Sequence, residues 1–158
     1  QADRRGYTDI QRAARTLYLI KMSFGSDRRT FATAQRIAEN IPAPFAYVQE
    51  RLRKVVIEHL DFEQLIHTYD RPGALFYCDP PYMGTERYYK HPFAPADHER
   101  LARVLHNIKG RYLLSYNDCA EVRELYQDCS IQPVTRHNSL PGVPGKDPGY
   151  NEVLIRNY

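Results

Sequence analysis

The chain has 158 residues, a hydrophobic content of 42% and a formal net charge of +3 at pH 7. This length is typical of about one domain, and the hydrophobic fraction is sufficient for a packed core, which argues against disorder. No apolar run approaches the ~20 residues of a membrane span, and no signal-peptide pattern appears, so we expect no membrane partner.

The three cysteines and six histidines bear on compartment and metal binding. Cys78, Cys119 and Cys129 are odd in number and lack the spacing of metal ligands, which is typical of a reduced, cytoplasmic protein. The histidines are scattered along the chain. We therefore expect a cytoplasmic protein with no metal site.

The charge is distributed unevenly. Residues 1–54 contain 11 Lys and Arg against 5 Asp and Glu, whereas residues 55–158 contain 11 against 14. A basic region joined to a mildly acidic one fits a protein that contacts phosphates with one part and performs chemistry with the other. A solvated helix surface explains the arginines equally well.

The N-terminal third is predicted to be helical. Thr8 and Gln11 have capping-box spacing, and the apolar residues that follow keep the helical period, which predicts a helix over 9–23. A second helix is expected over 31–39 and a third, short one over 45–52.

From residue 54 the pattern changes to alternating strands and helices. Strands are predicted at 54–58, 74–78, 111–116, 130–136 and 152–156, with helices near 61–69, 95–108 and 119–127. This order indicates an α/β fold, an open sheet that ends in a C-terminal antiparallel strand pair. We divide the chain into a helical, basic segment at 1–53 and a catalytic α/β portion at 54–158.

The tetrapeptide Asp79-Pro80-Pro81-Tyr82, here the Asp-Pro-Pro-Tyr motif, follows the apolar strand 74–78. Ligands of open α/β sheets sit beyond the carboxyl ends of the strands. Asp79 lies just past one predicted strand and Asn117 just past the next, and right-handed crossovers place both on one rim of the sheet. The sequence therefore predicts a binding site at this rim.

The motif suits chemistry on a base that carries an exocyclic amino group. The Asp79 carboxylate and the Pro80 carbonyl can each accept a hydrogen bond from that group, which turns the nitrogen lone pair toward a methyl sulfonium. Tyr82 can stack on the base, a contact of ~1–3 kcal/mol. Such a base must first leave the duplex at a cost of about a few kcal/mol, and positioning then does most of the work. The structural alternative is a Pro-Pro strand end with Asp79 capping a turn.

The motif resembles that of S-adenosylmethionine-dependent amino-methyltransferases, and its flanks resemble the Dam-like DNA adenine methyltransferases. The resemblance runs from about Ala13 to the C-terminus. Its further segments are Leu17-Tyr18-Leu19-Ile20-Lys21 with Phe24-Gly25, Val56-Ile57-Glu58 with Asp61-Phe62, Ser115-Tyr116-Asn117, and residues 152–158.

The resemblance implies S-adenosyl-L-methionine as cofactor and double-stranded DNA as substrate. It also implies catalytic, cofactor-binding and DNA-binding roles for particular residues. The implied catalytic residues are Asp79, Pro80, Pro81 and Tyr82; the cofactor-binding residues are Asp79, Asp61 and Phe62; the DNA-binding residues are Arg28, Arg29, Tyr89, Phe93 and Asn117. Plainer readings remain open for four of these positions. Asp61 can be a helix cap, Phe62 a core residue, and the arginine pair merely solvated.

One feature of that family is missing from this sequence. Its Phe-x-Gly-x-Gly cofactor loop has no counterpart, because no Gly-x-Gly occurs in the chain. We therefore expect the C-terminal part of a larger enzyme, with an incomplete Rossmann-like methyltransferase sheet and a helical target-recognition segment. In the family's sheet the missing strands lie between those predicted at 54–58 and 74–78. We also expect these 158 residues alone to bind cofactor weakly.

Two other functions fit parts of the sequence. The missing loop favours a non-catalytic DNA-binding remnant, which the intact Asp-Pro-Pro-Tyr motif opposes. Amino-methylation of RNA or of a protein glutamine is the other, although glutamine enzymes usually carry Asn where this chain has Asp79. The resemblance points to a bacterial or phage protein, and it leaves open restriction–modification, phage and housekeeping roles.

Overall fold

The computed structural model describes residues 7–23, 45–85, 93–137 and 149–158. The helix predicted over 31–39 lies outside these ranges. The chain divides into two compact units, Gln1–Ile57 and Glu58–Tyr158. Within the described ranges, no helix is long and apolar enough to cross a membrane.

The described part of the first unit is helical. Helix α1 (Asp9–Met22) begins with the predicted capping box: the Gln11 N–H donates to the Thr8 hydroxyl, and the Thr8 N–H donates to the Gln11 side chain at 2.9 Å. Helix α2 spans Phe45–Leu52. The helix start and the short third helix are thus confirmed, but none of the α1 residues is buried.

The strand predicted over 54–58 is wrong. Residues 55–60 form neither helix nor strand, and Val55, Val56 and Ile57 are 51%, 73% and 80% exposed. β-branched residues favour a strand mainly because they pack well on a pleated, half-buried surface. Among the described residues no strand pairs with this segment, so its propensity alone does not fix a strand.

The second unit contains the sheet. Its elements are α3 (Phe62–Tyr69), β1 (Leu75–Cys78), α4 (Pro95–His106), β2 (Arg111–Asn117), α5 (Ala120–Leu125), β3 (Ser130–His137) and β4 (Gly149–Arg156). The strand order is β1-β2-β4-β3; β1 and β2 are parallel and the other two pairs are antiparallel. The mixed α/β architecture and the terminal antiparallel pair are confirmed.

The core lies where β2, β4 and α4 meet. Tyr112, Leu114 and Tyr116 alternate along β2 and are fully buried, as strand periodicity requires when one face is covered. They join a cluster with Val153 and Ile155 of β4 and with Leu101, Val104 and Leu105 of α4. This packing fixes β2, whose carboxyl end supports the candidate site.

Strand β1 is at the edge of the sheet. Phe76 and Cys78 pack against the core, whereas Leu75 and Tyr77 are 63% and 66% exposed. One edge of β1 bonds to β2, and no strand of the described residues bonds to the other. Asp79 directly follows Cys78 and therefore lies at the carboxyl end of this edge strand.

Candidate active site

The carboxyl ends of β1 and β2 form one rim of the sheet. Cys78 pairs with Leu114 in the parallel register, so Asp79 lies beside the last residues of β2. The predicted placement of Asp79 and Asn117 on the same rim is therefore confirmed by the pairing. Both residues take part in hydrogen bonds that cross from one strand end to the other.

Asp79 is exposed and is oriented from β2. The Ser115 hydroxyl donates to Asp79 Oδ1 at 2.8 Å and lies 3.4 Å from the Cys78 carbonyl oxygen. No other described residue donates to this carboxylate, and an ionised carboxylate has about four acceptor positions. Acceptor capacity therefore remains for an N–H group of a substrate.

A tight turn follows the Asp-Pro-Pro-Tyr motif. The Thr85 N–H donates to the Tyr82 carbonyl at 3.0 Å, and the Thr85 hydroxyl donates to the same oxygen at 2.6 Å. Gly84, the third residue of this turn, has φ = 82°. A positive φ at the third position is the requirement that glycine meets in a type II turn.

Asn117 holds this turn through its side-chain amide. Its Oδ1 accepts the Met83 N–H at 3.0 Å, and its Nδ2 donates to the Met83 carbonyl at 3.3 Å. One amide thus satisfies both backbone groups of Met83. The residue predicted to contact DNA contacts the loop that follows the motif.

A row of aromatic rings lies behind the motif. Phe62 of α3 contacts Phe93, with ring centroids 5.6 Å apart, and Phe93 meets His98 of α4 edge-on at 4.8 Å. His98 is buried and hydrogen-bonded to the buried Tyr116 hydroxyl. Tyr116 lies 6.1 Å from the ring of Tyr82, so the motif's aromatic residue rests on a packed support.

A cavity of about 410 Å³ brings four of the predicted residues together. Phe62, Asp79, Pro80 and Phe93 line it, with apolar side chains of β1, α3 and α4 around them. Its volume lies within the ~300–1,000 Å³ usual for small-molecule sites. Its mostly apolar lining with one carboxylate is also typical of such sites. Pro81, Tyr82 and Asp61 are not part of its wall.

A second cavity, of about 670 Å³, is bordered by the loop after the motif. Met83, Gly84, His98 and Asn117 contribute to its lining. The loop after the motif therefore forms part of the wall of this cavity. Moving it would change the shape of this second cavity.

Asp61 has a structural role in α3. Its carboxylate caps the helix by accepting the Glu63 N–H at 3.0 Å, and it forms a bidentate pair with Arg100 at 2.9 and 3.0 Å. The hydrogen bond from Arg100 is the main reason that the pKa of Asp61 is lowered. The Arg100 guanidinium also lies 4.1 Å from the centre of the Phe62 ring. The helix-cap alternative for Asp61 is confirmed, and its cofactor contact stays a prediction.

Cys78, next to Asp79, is a neutral thiol at physiological pH. Burial raises the pKa of this thiol to about 11. The thiolate is the nucleophilic form of cysteine. Cys78 is therefore unsuited to covalent catalysis, which agrees with a mechanism that depends on positioning.

Three of the predicted DNA-binding residues, Arg28, Arg29 and Tyr89, lie outside the described residues. Within the part of the chain that the structure describes, no group of three or more His, Cys, Asp and Glu could hold a metal ion.

The family follows from a match along most of the chain. Residues 5–140 match the D12 class N6 adenine-specific DNA methyltransferases. The chain belongs to this family. The matched region contains the Asp-Pro-Pro-Tyr motif and both β2 residues that hold it, Ser115 and Asn117. The resemblance to adenine methyltransferases is thereby confirmed, and the protein is a DNA adenine methyltransferase.

The sequence analysis gave neither Ser115 nor His98 a role in this candidate site. Ser115 is two residues before Asn117, so the period of two in a strand puts both side chains on one face. His98 occupies the same helical face as Leu101, Ala102 and Leu105, all of them buried. A polar residue on an apolar helix face needs a buried partner, and that signal could have identified His98.

Proposed function

We propose that this D12-class protein transfers a methyl group from S-adenosyl-L-methionine to the exocyclic amino group of a flipped adenine in double-stranded DNA. The observation that supports this best is the Asp79 carboxylate, oriented by Ser115 and still able to accept hydrogen bonds at the edge of a cavity. We propose that the protein acts in the cytoplasm of a bacterium or a phage-infected cell.

Asp79 and Pro80 would hold the amino group. Pro80 lacks an N–H, so its backbone offers only an acceptor. With one amino hydrogen directed to Asp79 and the other to the Pro80 carbonyl, the nitrogen lone pair points away from both. The nitrogen would form the new bond to the methyl carbon as the carbon–sulfur bond of the sulfonium breaks and its electron pair stays on sulfur. The proton that the nitrogen loses could pass to the Asp79 carboxylate.

Tyr82 would stack on the flipped base. Its ring packs toward the buried Tyr116, which limits the orientations it can adopt. A stacked contact of ~1–3 kcal/mol offsets part of the few kcal/mol needed to unpair and unstack a base. Pro81 keeps the segment before Tyr82 rigid, and Tyr89 is the residue proposed to close over the base.

The 410 Å³ cavity is the proposed cofactor site. S-Adenosyl-L-methionine, when bound, supplies a methyl group on a positively charged sulfur. The residues present fit this cofactor in part: Phe62 offers aromatic surface for an adenine, and Asp79 offers negative charge for the sulfonium end. Phe93, which the sequence predicted to contact DNA, lines the same cavity. Asp61 would keep this wall in place through Arg100. We also propose that the sheet is Rossmann-like, with this cavity at its carboxyl rim.

The basic segment 1–53 is the proposed DNA-recognition region. Arginines contact phosphates and can read guanine in the major groove through two hydrogen bonds, and Arg28 and Arg29 are proposed to do so. Phosphate contacts also make binding fall steeply with salt. We expect the affinity for DNA to fall as the salt concentration rises. This salt dependence should be steeper in the wild type than in an Arg28→Ala, Arg29→Ala double variant.

Methyl transfer to DNA tests the proposal directly. The chain is incubated with adenine-containing duplex and radiolabelled S-adenosyl-L-methionine at high concentration, because the sequence contains no Gly-x-Gly loop. The DNA is then digested to nucleosides. We expect N6-methyl-2′-deoxyadenosine, reduced about 100-fold or more by Asp79→Ala, since removing one preorganised catalytic group costs about that much. Asp128→Ala, which removes an exposed carboxylate, is the matched control.

Calorimetric titration with S-adenosylhomocysteine separates this function from a DNA-binding remnant. Weak binding that is lost in Asp79→Ala supports the cavity as the cofactor site. Salt-dependent DNA binding with no cofactor binding and no methylated adenine would favour the remnant. Label in RNA or in protein, rather than in DNA, would replace the proposed substrate.

A further inference from the structure

The amide of Asn117 is matched to the backbone of one residue. Asn carries an acceptor and a donor on one planar group, so it can bond to the N–H and the C=O of the same residue. It does so at Met83, at 3.0 and 3.3 Å, and both residues are partly buried. Leaving a buried backbone group without a partner costs free energy comparable to a lost hydrogen bond.

Met83 lies in a turn whose backbone conformation is little restricted by its own sequence. It lies between Tyr82 and Gly84, and the φ of 82° at Gly84 is readily accessible only to glycine. Glycine also leaves the chain free to adopt other conformations. The bonds from Asn117 therefore select one conformation of a turn that its own sequence leaves adjustable.

Strand β2 holds the Asp-Pro-Pro-Tyr motif at both ends. Ser115 bonds to Asp79, the first residue of the motif, and Asn117 bonds to Met83, the residue directly after it. Both side chains project from the same face of a strand whose opposite face is buried in the core. The rigid strand thereby sets the positions of the carboxylate and of the tyrosine ring together.

We propose that Asn117 is a positioning residue of the methyltransferase: it holds Tyr82 at the spacing from Asp79 that methyl transfer requires, and this replaces the DNA contact predicted from the sequence. This inference rests on the proposed function. Misplacement of reacting groups by about 1 Å can reduce a rate 100-fold, so a loop held by two hydrogen bonds can control the reaction.

The two hydrogen bonds from the Asn117 amide to Met83 are here called the clamp. Hydrogen exchange tests the clamp without an activity assay. The Met83 amide donates to Asn117 Oδ1, so Asn117→Ala should accelerate exchange of that amide about tenfold or more. Asn117→Asp keeps an acceptor and should preserve most of the protection while losing the donor to the Met83 carbonyl. Asn107→Ala is the matched control, because Asn107 bonds to the Arg103 carbonyl at the exposed end of α4.

Single-turnover kinetics distinguish positioning from DNA contact and from a structural role. We expect Asn117→Ala to slow methyl transfer about 10- to 100-fold with the DNA dissociation constant unchanged, and Asn117→Asp to fall between it and the wild type. Weaker DNA binding with an unchanged single-turnover rate at saturating DNA would overturn the inference. So would an unchanged rate despite faster exchange at Met83.

Failure of the two proposals can be told apart. Faster exchange at Met83 in Asn117→Ala, in a protein whose wild type methylates no DNA, overturns the proposed function and leaves the clamp standing. Normal methylation by the wild type, with unchanged exchange in Asn117→Ala, overturns the clamp and leaves the function standing.

Discussion

The two ends of the parallel pair β1–β2 use similar side chains for different purposes. At the amino end, the Asp70 carboxylate accepts the N–H groups of Lys109 and Gly110, each at 2.9 Å. At the carboxyl end, the Asp79 carboxylate accepts only the Ser115 hydroxyl from among the described residues. One carboxylate is committed to the backbone, and the other keeps capacity for a ligand.

An asparagine amide at each end supports the same contrast. Asn157 accepts the Tyr112 N–H at 3.0 Å and donates to the Gly110 carbonyl at 3.1 Å, which ties β4 to the start of β2. Asn117 bonds in the same way, but to a loop that borders a cavity. Because ligands of open α/β sheets bind at carboxyl ends, we expect changes at the amino end to affect stability and changes at the carboxyl end to affect methyl transfer.

The largest loss of stability should come from Gly110→Ala at the amino end. A Cβ at Gly110 would lie 2.8 Å from the Ala74 carbonyl oxygen and 3.0 Å from that of Arg71, and both are backbone atoms. Overpacking of this kind costs typically ~1–3 kcal/mol, so we expect the free energy of unfolding in urea to fall by about 2 kcal/mol.

Gly73→Ala is the matched control for that loss, because its Cβ would meet no atom within 4 Å. Methyl transfer per folded molecule should be unchanged in Gly110→Ala. A stable variant with reduced transfer would break the division between the two ends.

A smaller effect on stability, with a clear effect on rate, is expected from Ser115→Ala at the carboxyl end. The substitution removes one hydrogen bond, worth about 1 kcal/mol of stability, and leaves Asp79 free to rotate. We expect methyl transfer to fall about tenfold in single-turnover assays, since a misoriented carboxylate loses its geometry rather than its charge.

Ser130→Ala, at the exposed start of β3, is the matched control for Ser115→Ala. Loss of stability as large as in Gly110→Ala, without loss of transfer, would show that Ser115 serves the fold rather than the reaction.

The carboxyl end could be located from the sequence because its signals are local. An apolar strand followed by the Asp-Pro-Pro-Tyr motif fixes where Asp79 lies, and parallel pairing then places Asn117 on the same rim of the sheet. The partner of the Asn117 amide could not be predicted. It depends on where the loop after Tyr82 folds back, and Gly84 makes that direction adjustable.

The segment 54–58 shows the opposite limit. Its β-branched residues favour a strand, yet Val55, Val56 and Ile57 are exposed and unpaired with any described strand. Strand formation depends on hydrogen-bonding and packing partners that are distant in sequence, whereas the α1 capping box depends on residues three apart. The capping box therefore predicted the start of α1 correctly. The β-branched composition of 54–58 did not predict a strand correctly, because a strand also needs distant partners.

The smallest effect, and the most specific to the amino end, is the acid dependence of stability from Asp70. The N–H of Lys109 is the main reason that the pKa of Asp70 is lowered below its usual value of 3.8. A lowered folded-state pKa contributes stability that is present above the unfolded pKa and is lost as pH falls through the folded one. We expect the stability difference between wild type and Asp70→Asn to be constant near neutral pH and to shrink below about pH 4.

Urea unfolding of both proteins over this pH range checks the sign of the Asp70 effect. The pKa of Asp61 is lowered as well, so both proteins should still lose some stability in acid, and only the difference between them reports Asp70. A difference that stays constant into acid would mean that the Asp70 charge does not stabilise the amino end. Asn157 would then be the main support of the amino end, and the two ends of the sheet would be held alike, each by an asparagine amide.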